Sequence, residues 1–192
     1  MSTGSGTITA LAGGSVRAGM VNLIARWRRL VDDAGSVLWT DVQAQAFLDA
    51  RRTVFYGELL SAVGQAAGAA TEYRLYTSAY RNLEEASSGT VAWRCYAGTQ
   101  TFGTADASLD YVGGALTFTA DQTGSARYLD GRSYDLNLAA ADAWRERAAG
   151  QYDNYDFATD GQSFSRQQQY LHCLQMAKLY EIAPVAAQTV GT

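Results

Sequence analysis

The first part of the chain places apolar residues at the spacing of a helix with one buried face. From Val16 onward these positions follow an i, i+4, i+7, i+8 rhythm, at Val16, Met20, Leu23, Ile24, Trp27, Leu30 and Val31. Residues 32–35 predict the end of this helix. Thr40 and Gln43 have the spacing of a capping box, which predicts a second helix. We expect that helix to continue through Leu59 and Leu60 toward Gly64.

The apolar period changes from 3.6 to 2 over residues 71–130. Apolar and polar residues alternate around Tyr73, Leu75 and Thr77, and again around Val91, Trp93 and Cys95. The pair Gly113-Gly114 and the sequence DQTG at 121–124 predict tight turns between further short strands. This region is therefore predicted to form a small antiparallel meander inserted between helices.

Helical periodicity returns at Asp135, a predicted N-cap for the sequence LNLAAADAWRERAAGQ. A loop follows, and a capping box at residues 165–168 begins a last helix that Pro184 ends. The predicted fold class is α+β and mainly helical, a helix bundle with an inserted small antiparallel β-sheet and extended termini. We expect a flexible arm at 1–15, one domain at 16–183 with its β insertion at about 71–130, and a tail at 184–192.

Composition narrows the function classes. Charged residues make up 18% of the chain, below the usual value of about 25%, which suits a surface partly covered by neighbouring molecules. The net charge of −4 and the pI of about 4.9 do not favour general binding to a phosphate backbone. No apolar stretch approaches the roughly 20 residues that span a membrane, and the N-terminus does not resemble a signal peptide. Cys95 and Cys173 are far apart, so we expect reduced core thiols.

Catalytic and metal-binding patterns find no match. His172 precedes Cys173 directly, and neighbouring helix positions point about 100° apart, so the two side chains do not face each other. Read as a calcium loop from Asp156, the chain has Ala158 and Gln167 at two ligand positions, which excludes the motif. There is no phosphate-binding glycine loop. Paired carboxylates could be sought among aspartates that mostly occupy turn sequences, at Asp106, Asp110, Asp121 and Asp130. We therefore expect no enzyme, metal or cofactor.

Tyrosine is abundant, with 12 residues. Tyr152, Tyr155 and Phe157 cluster in the predicted loop, and Tyr170 and Tyr180 lie on the last helix. Tyrosine is enriched at protein–protein contacts, whereas base stacking on nucleic acid would require an accompanying basic groove. These five residues are predicted to form a protein interface.

Two runs in the C-terminal half resemble a known family. They are DYVGGALTFTADQTGSARYLDGRSYDLNLAAADAWRERAA at 110–149 and YDFATDGQSFSRQQQ at 155–169. They are similar to the head–tail connector (adaptor) proteins of long-tailed bacteriophages, in which a strand–glycine turn–strand unit leads to a "DLN-AAA-W" helix. The matching positions are Asp135, Leu136, Asn137, Ala139, Ala140, Ala141, Trp144, Asp156, Phe157, Asp160, Gly161, Ser163, Arg166 and Gln167. With the N-terminal helices, the resemblance covers most of residues 16–182, but residues 85–108 match nothing.

The resemblance implies a structural protein of the virion neck, assembled in the host cytoplasm without a membrane. Such subunits form a homo-oligomeric ring of about twelve copies, whose interface joins two different patches. One face of the ring docks on the portal protein and the other receives a stopper or tail-completion protein. DNA passes through the lumen without sequence-specific binding. We predict that the tail containing Pro184, Val185 and Val190 straps the subunit to the portal.

Three alternatives remain open, the first of which also depends on the resemblance. The chain could be a tail-completion or stopper protein of the same neck. It could instead be a carbohydrate-binding module whose tyrosine- and tryptophan-bearing sheet takes up sugar. An enzyme that uses the aspartate-rich turns has the least support, because no base or nucleophile accompanies the carboxylates.

Overall fold

The computed structural model describes residues 15–68, 70–86, 92–152, 157–159, 162–164 and 166–182, with the side chains of 151–166 excluded. The helices in these ranges are α1 (Val21–Leu30), preceded by a 3-10 turn at Ala18–Met20, α2 (Asp41–Ala50), α3 (Leu136–Tyr152) and α4 (Arg166–Ile182). The strands are β1 (Arg52–Leu59), β2 (Ser61–Ala67), β3 (Ala70–Thr77), β4 (Arg94–Ala97), β5 (Gln100–Phe102), β6 (Ala107–Asp110), β7 (Ala115–Phe118), β8 (Tyr128–Tyr134), β9 (Phe157–Thr159) and β10 (Gln162–Phe164).

The helices share one apolar core, with α3 at its centre. α3 packs against α1, α2 and α4, and its inward positions are mostly alanine, which lets the neighbouring backbones approach closely. Trp27 and Trp144 are the largest buried side chains of this core, and the indole N–H of Trp144 donates to the carbonyl of Leu30 at 3.1 Å. This bond fixes α3 against the end of α1.

The strands β1–β8 form two four-stranded antiparallel sheets, which make up the β half of the molecule. Their orders are β1-β8-β4-β5 and β2-β3-β7-β6, and β9 and β10 pair separately. One core contains side chains from both sheets, including Phe55 and Leu129 from the first and Tyr76 and Phe118 from the second, so the sheets pack face to face. The chain crosses between sheets at Leu60, which is buried.

A buried carboxylate joins the helical and β halves. Glu84 is 1% exposed, and it accepts from Nε of Arg17 at 3.0 Å and from the hydroxyl of Tyr134 at 2.5 Å. The same arginine donates both terminal nitrogens to Asp49 on α2, at 2.8 and 2.6 Å. Burial of Tyr134, together with its bond to Glu84, raises the pKa of its hydroxyl. The network therefore ties the start of the helical core to β8.

The prediction of a mainly helical bundle with a small insertion is wrong. β structure begins at Arg52, directly after α2, and continues to Tyr134 in two full sheets. The predicted extension of the second helix through Leu59 and Leu60 toward Gly64 is also wrong, because residues 52–59 pair with β8. Thr53, Val54 and Phe55 favour a strand once such a partner is present.

The meander prediction fails in one part. β6 and β7 do form a hairpin around Gly113 and Gly114. The strand that follows the 121–124 turn, however, is β8, which lies in the other sheet between β1 and β4. Local turn signals predict where the chain reverses but do not specify which sheet receives the next strand.

The local helix signals are confirmed. Thr40 and Gln43 form the predicted capping box, and Asp135 Oδ1 accepts from the backbone N–H of Leu138 at 2.9 Å. α1 begins at Val21, after the 3-10 turn and later than the predicted start at Val16, and it ends at Leu30, just before the termination signal predicted at 32–35; its apolar face is buried. The arm at 1–14, Ser165 and the tail from residue 183 lie outside the described residues. Every helix in the described ranges is too short or too polar to cross a lipid bilayer.

Candidate protein-interaction surface

The two thiols are buried, whereas the histidine is exposed and contacts one aromatic ring. Cys95 and Cys173 are free and buried, and burial raises the pKa of Cys95 to about 11 and that of Cys173 above its ordinary value. A buried thiol with a raised pKa is a poor nucleophile at neutral pH. The ring of His172 packs edge-on against Trp144, with ring centroids 5.9 Å apart. In the described ranges, no group of three or more His, Cys, Asp or Glu side chains is arranged to hold a metal ion.

The four candidate aspartates are engaged in backbone contacts. Asp106 accepts from the N–H of Gly103 at 2.9 Å, and Asp110 accepts from that of Val112 at 3.0 Å. Asp121 accepts from the N–H groups of Tyr73 and Thr123, and these two bonds lower its pKa. Asp130 binds Arg94 and the N–H of Gly57. These carboxylates hold turns and strand ends in place.

Two of the predicted interface residues have described side chains. Tyr170 and Tyr180 are both half-buried and pack against the helical core, and burial raises the pKa of Tyr180. Tyr152 is the last residue of α3 and Phe157 the first of β9, but their side chains are not described. Tyr155 and the tail residues Pro184, Val185 and Val190 also lie outside the described residues.

Leu171, Leu179 and Ile182 of α4 are exposed and point away from these tyrosines, and exposed Leu174, four residues after Tyr170, lies at the edge between the two faces. The inward face carries Tyr170, Cys173, Ala177 and Tyr180. At about 100° of rotation per residue, a second stripe falls on the far side of the helix. This outer face consists of Leu171, Leu174, Leu179 and Ile182, whose exposed fractions are 47%, 37%, 59% and 68%.

The described residues cover one face of α4 and leave a second face exposed, on which large apolar side chains lie among polar ones such as Gln175 and Lys178. It packs on α3, and Arg145 of α3 forms an ion pair with Glu181 near its end. A helix that served only to cover the core would present few large apolar side chains outward, whereas α4 exposes four of them. In the sequence, this exposed face is indicated by leucines at a second helical phase, which the interface prediction based on tyrosines did not include. The outer face of α4 is therefore our candidate interaction surface.

A second exposed apolar surface lies on the α1–α2 connection. Val37 is 85% exposed, and Leu38 and Val42 beside it are also exposed. This loop is held firmly, because Asp33 accepts the backbone N–H groups of Val37 and Leu38 at 2.7 and 2.9 Å. We name these three exposed residues the loop surface. α3 lies between α4 and the α1–α2 pair, so the outer face and the loop surface belong to different parts of the bundle.

Comparison of the chain with protein-family models, with curated proteins and with solved structures gave no match.

Proposed function

We propose that this chain is a structural ring subunit, a head–tail connector from the neck of a tailed bacteriophage. The observation that carries the proposal is the outer face of α4, where four large apolar side chains, interspersed with Gln175 and Lys178, are left uncovered by the described residues. A ring interface joins two different patches on successive subunits, and the loop surface provides a second patch. The resemblance of residues 110–149 and 155–169 to connector proteins supplies the biological setting.

In this proposal the ring sits below the portal, receives a stopper or tail-completion protein on its other face, and surrounds DNA without reading its sequence. The net charge of −4 supports this last point, because a weakly acidic wall does not retain a passing phosphate backbone. Carbohydrate binding has less support, because Tyr76, Trp93 and Tyr134 are buried, and of the strand residues Tyr56, at 79% exposed, would have to provide the platform for sugar.

The outer face is large enough to matter energetically. Its four side chains together expose about two whole side chains' worth of apolar surface, and burying that much contributes about 3–6 kcal/mol. Leu179 alone, at 59% exposed, would contribute about 1–2 kcal/mol per contact, which corresponds to roughly five- to thirtyfold in dissociation constant.

The test compares two leucines of equal exposure. Leu179→Ser removes apolar area from the outer face, and Leu59→Ser removes it from β1, where Leu59 is also 59% exposed. Light scattering up to about 1 mM protein detects association free energies of about −4 kcal/mol. We expect Leu179→Ser to weaken self-association at least about fivefold and Leu59→Ser to leave it unchanged, with rings visible by electron microscopy for the unsubstituted chain.

A chain that stays monomeric throughout this range, or that responds equally to both substitutions, contradicts the proposed ring. Co-purification with a portal protein encoded beside it separates the connector from its neighbours in the neck. A connector binds the portal directly, whereas a stopper or tail-completion protein binds only after the connector is in place.

A further inference from the structure

A cleft of about 480 Å³ opens at the junction of the helical and β halves. Its walls come from α1, from the segment after β3, and from the first residues of α3. Two arginines line it, Arg26 on α1 and Arg81 in the segment after β3. It is separate from the outer face of α4, none of whose residues lines it.

Neither arginine has an acidic partner, counted over the described ranges. Arg26 donates from one terminal nitrogen to the side-chain oxygen of Asn82 at 2.6 Å. Arg81 is half-buried and makes neither a hydrogen bond nor an ion pair with any described residue. Eight other arginines in the described ranges do pair with carboxylates, namely Arg17, Arg28, Arg51, Arg52, Arg74, Arg94, Arg132 and Arg145. The cleft therefore concentrates unpaired positive charge.

Two further features favour an anion there. Burial lowers the pKa of Arg26, an effect that the charge of Asp110 only partly offsets, so the guanidinium lacks full solvation and gains from a counterion. The start of the 17-residue helix α3 lies at the cleft wall through Leu136 and Asn137, and helix N-termini carry partial positive charge. Asp135 is the one carboxylate among the lining residues, and its Oδ1 caps α3.

We propose that this cleft binds a carboxylate presented by a partner protein, as an acidic side chain or a chain terminus. Guanidinium groups match carboxylates in fork geometry, and a concave site selects a single protruding group. Nucleic acid fits less well, because binding to a phosphate backbone requires a continuous row of cations on a surface, and this chain carries a net charge of −4. The inference does not depend on ring formation.

In the test, an acetylated tetraglutamate peptide is titrated into the full-length chain, and the heat of binding is measured by calorimetry at fixed ionic strength. Parallel titrations use tetraglutamine, inorganic phosphate and a short DNA duplex. We expect tetraglutamate to bind and Arg81→Gln to weaken it about tenfold or more, since one charge-assisted hydrogen bond is lost. Because Arg81 makes no described contact, this variant should keep the unfolding midpoint of the unsubstituted chain.

Arg29→Gln is the matched control, since Arg29 is exposed on α1 and does not line the cleft. It should change affinity less than about twofold, because a distant exposed charge is screened by salt. Arg26→Lys keeps the charge but loses the fork, and should weaken the peptide less than Arg81→Gln does. The proposal is overturned if tetraglutamate does not bind, or if tetraglutamine binds with equal affinity. It is also overturned if Arg29→Gln and Arg81→Gln weaken the peptide equally, or if phosphate or the DNA duplex binds more tightly than the peptide.

Discussion

The loop between α1 and α2 is organised around one buried carboxylate. Asp33 is 3% exposed, and it accepts backbone N–H groups of Val37, Leu38 and Trp39 at 2.7, 2.9 and 3.2 Å. It also pairs with Arg28, which is itself buried and donates to the Trp39 carbonyl and to Asp41, each at 2.7 Å. The exposed apolar residues of the loop surface depend on this arrangement.

Asp33→Asn should lower the free energy of unfolding by about 3 kcal/mol. Breaking a buried ion pair costs about 3–5 kcal/mol, and the remaining contact of Arg28 with Asp41 places the loss near the lower end. The new amide also turns donor hydrogens toward backbone donors. For a chain of 192 residues, this loss lowers the melting temperature by about 6–12 °C. Urea unfolding followed by circular dichroism measures the free-energy change directly.

Asp32→Asn is the control, because Asp32 is exposed and asparagine tolerates its positive φ of 55°. It should change stability by less than about 0.5 kcal/mol. A loss below about 1 kcal/mol for Asp33→Asn, or equal losses for the two variants, would refute the reasoning that this carboxylate holds the loop.

The pH dependence follows from the same contacts. Burial by itself raises the pKa of Asp33, but the N–H groups of Leu38, Val37 and Trp39, together with Arg28, lower it below its ordinary 3.8. The folded carboxyl is thus the stronger acid, and its stabilisation is complete above pH 3.8 and is lost as pH falls through the lower folded pKa. The stability difference between the unsubstituted chain and Asp33→Asn should therefore shrink in acid and stay constant at neutral pH.

Two other sites give matched pairs of substitutions. Gly114→Ala should lower the free energy of unfolding by about 2–3 kcal/mol, measured by thermal unfolding, because the φ of Gly114 is +73° and an added Cβ would lie 2.0 Å from the carbonyl oxygen of Tyr80. Gly98→Ala should cost only about 1 kcal/mol, because Gly98 has a φ of +58° but open space around it. Equal effects would show that the β6–β7 hairpin can move away. Glu84→Gln should cost about 3–5 kcal/mol in urea unfolding, because it removes the buried charge that pairs with Arg17 and leaves one oxygen to accept from Arg17 and Tyr134. Glu85→Gln should be nearly neutral, because its amide oxygen can still accept from Asn22 at the surface. A tolerated Glu84→Gln would mean that the junction does not depend on this charge.

Helix ends and one buried face were readable because their causes are local. Thr40 and Gln43 are three positions apart, and Asp135 caps an N–H three residues on, so each signal lies inside a short window. The apolar rhythm of α1 likewise predicts burial of Leu23, Ile24 and Trp27. The Gly113-Gly114 hairpin belongs to the same class.

The pairing of strands could not be predicted from the sequence. Phe55 pairs with Gly131 across the first sheet, and the flat approach of its ring requires that glycine, since an added Cβ would lie 2.8 Å from it. Such pairing is set by long-range packing, which a window of neighbouring residues does not contain. For this reason residues 52–59 could be mistaken for the continuation of a helix.

Only the tertiary structure decided which strands share a sheet, because strand pairing joins residues far apart in sequence. It also decided which face of α4 the chain covers. Leucines and tyrosines on opposite sides of one helix are equally apolar, and only the position of α3 leaves Leu171, Leu179 and Ile182 exposed.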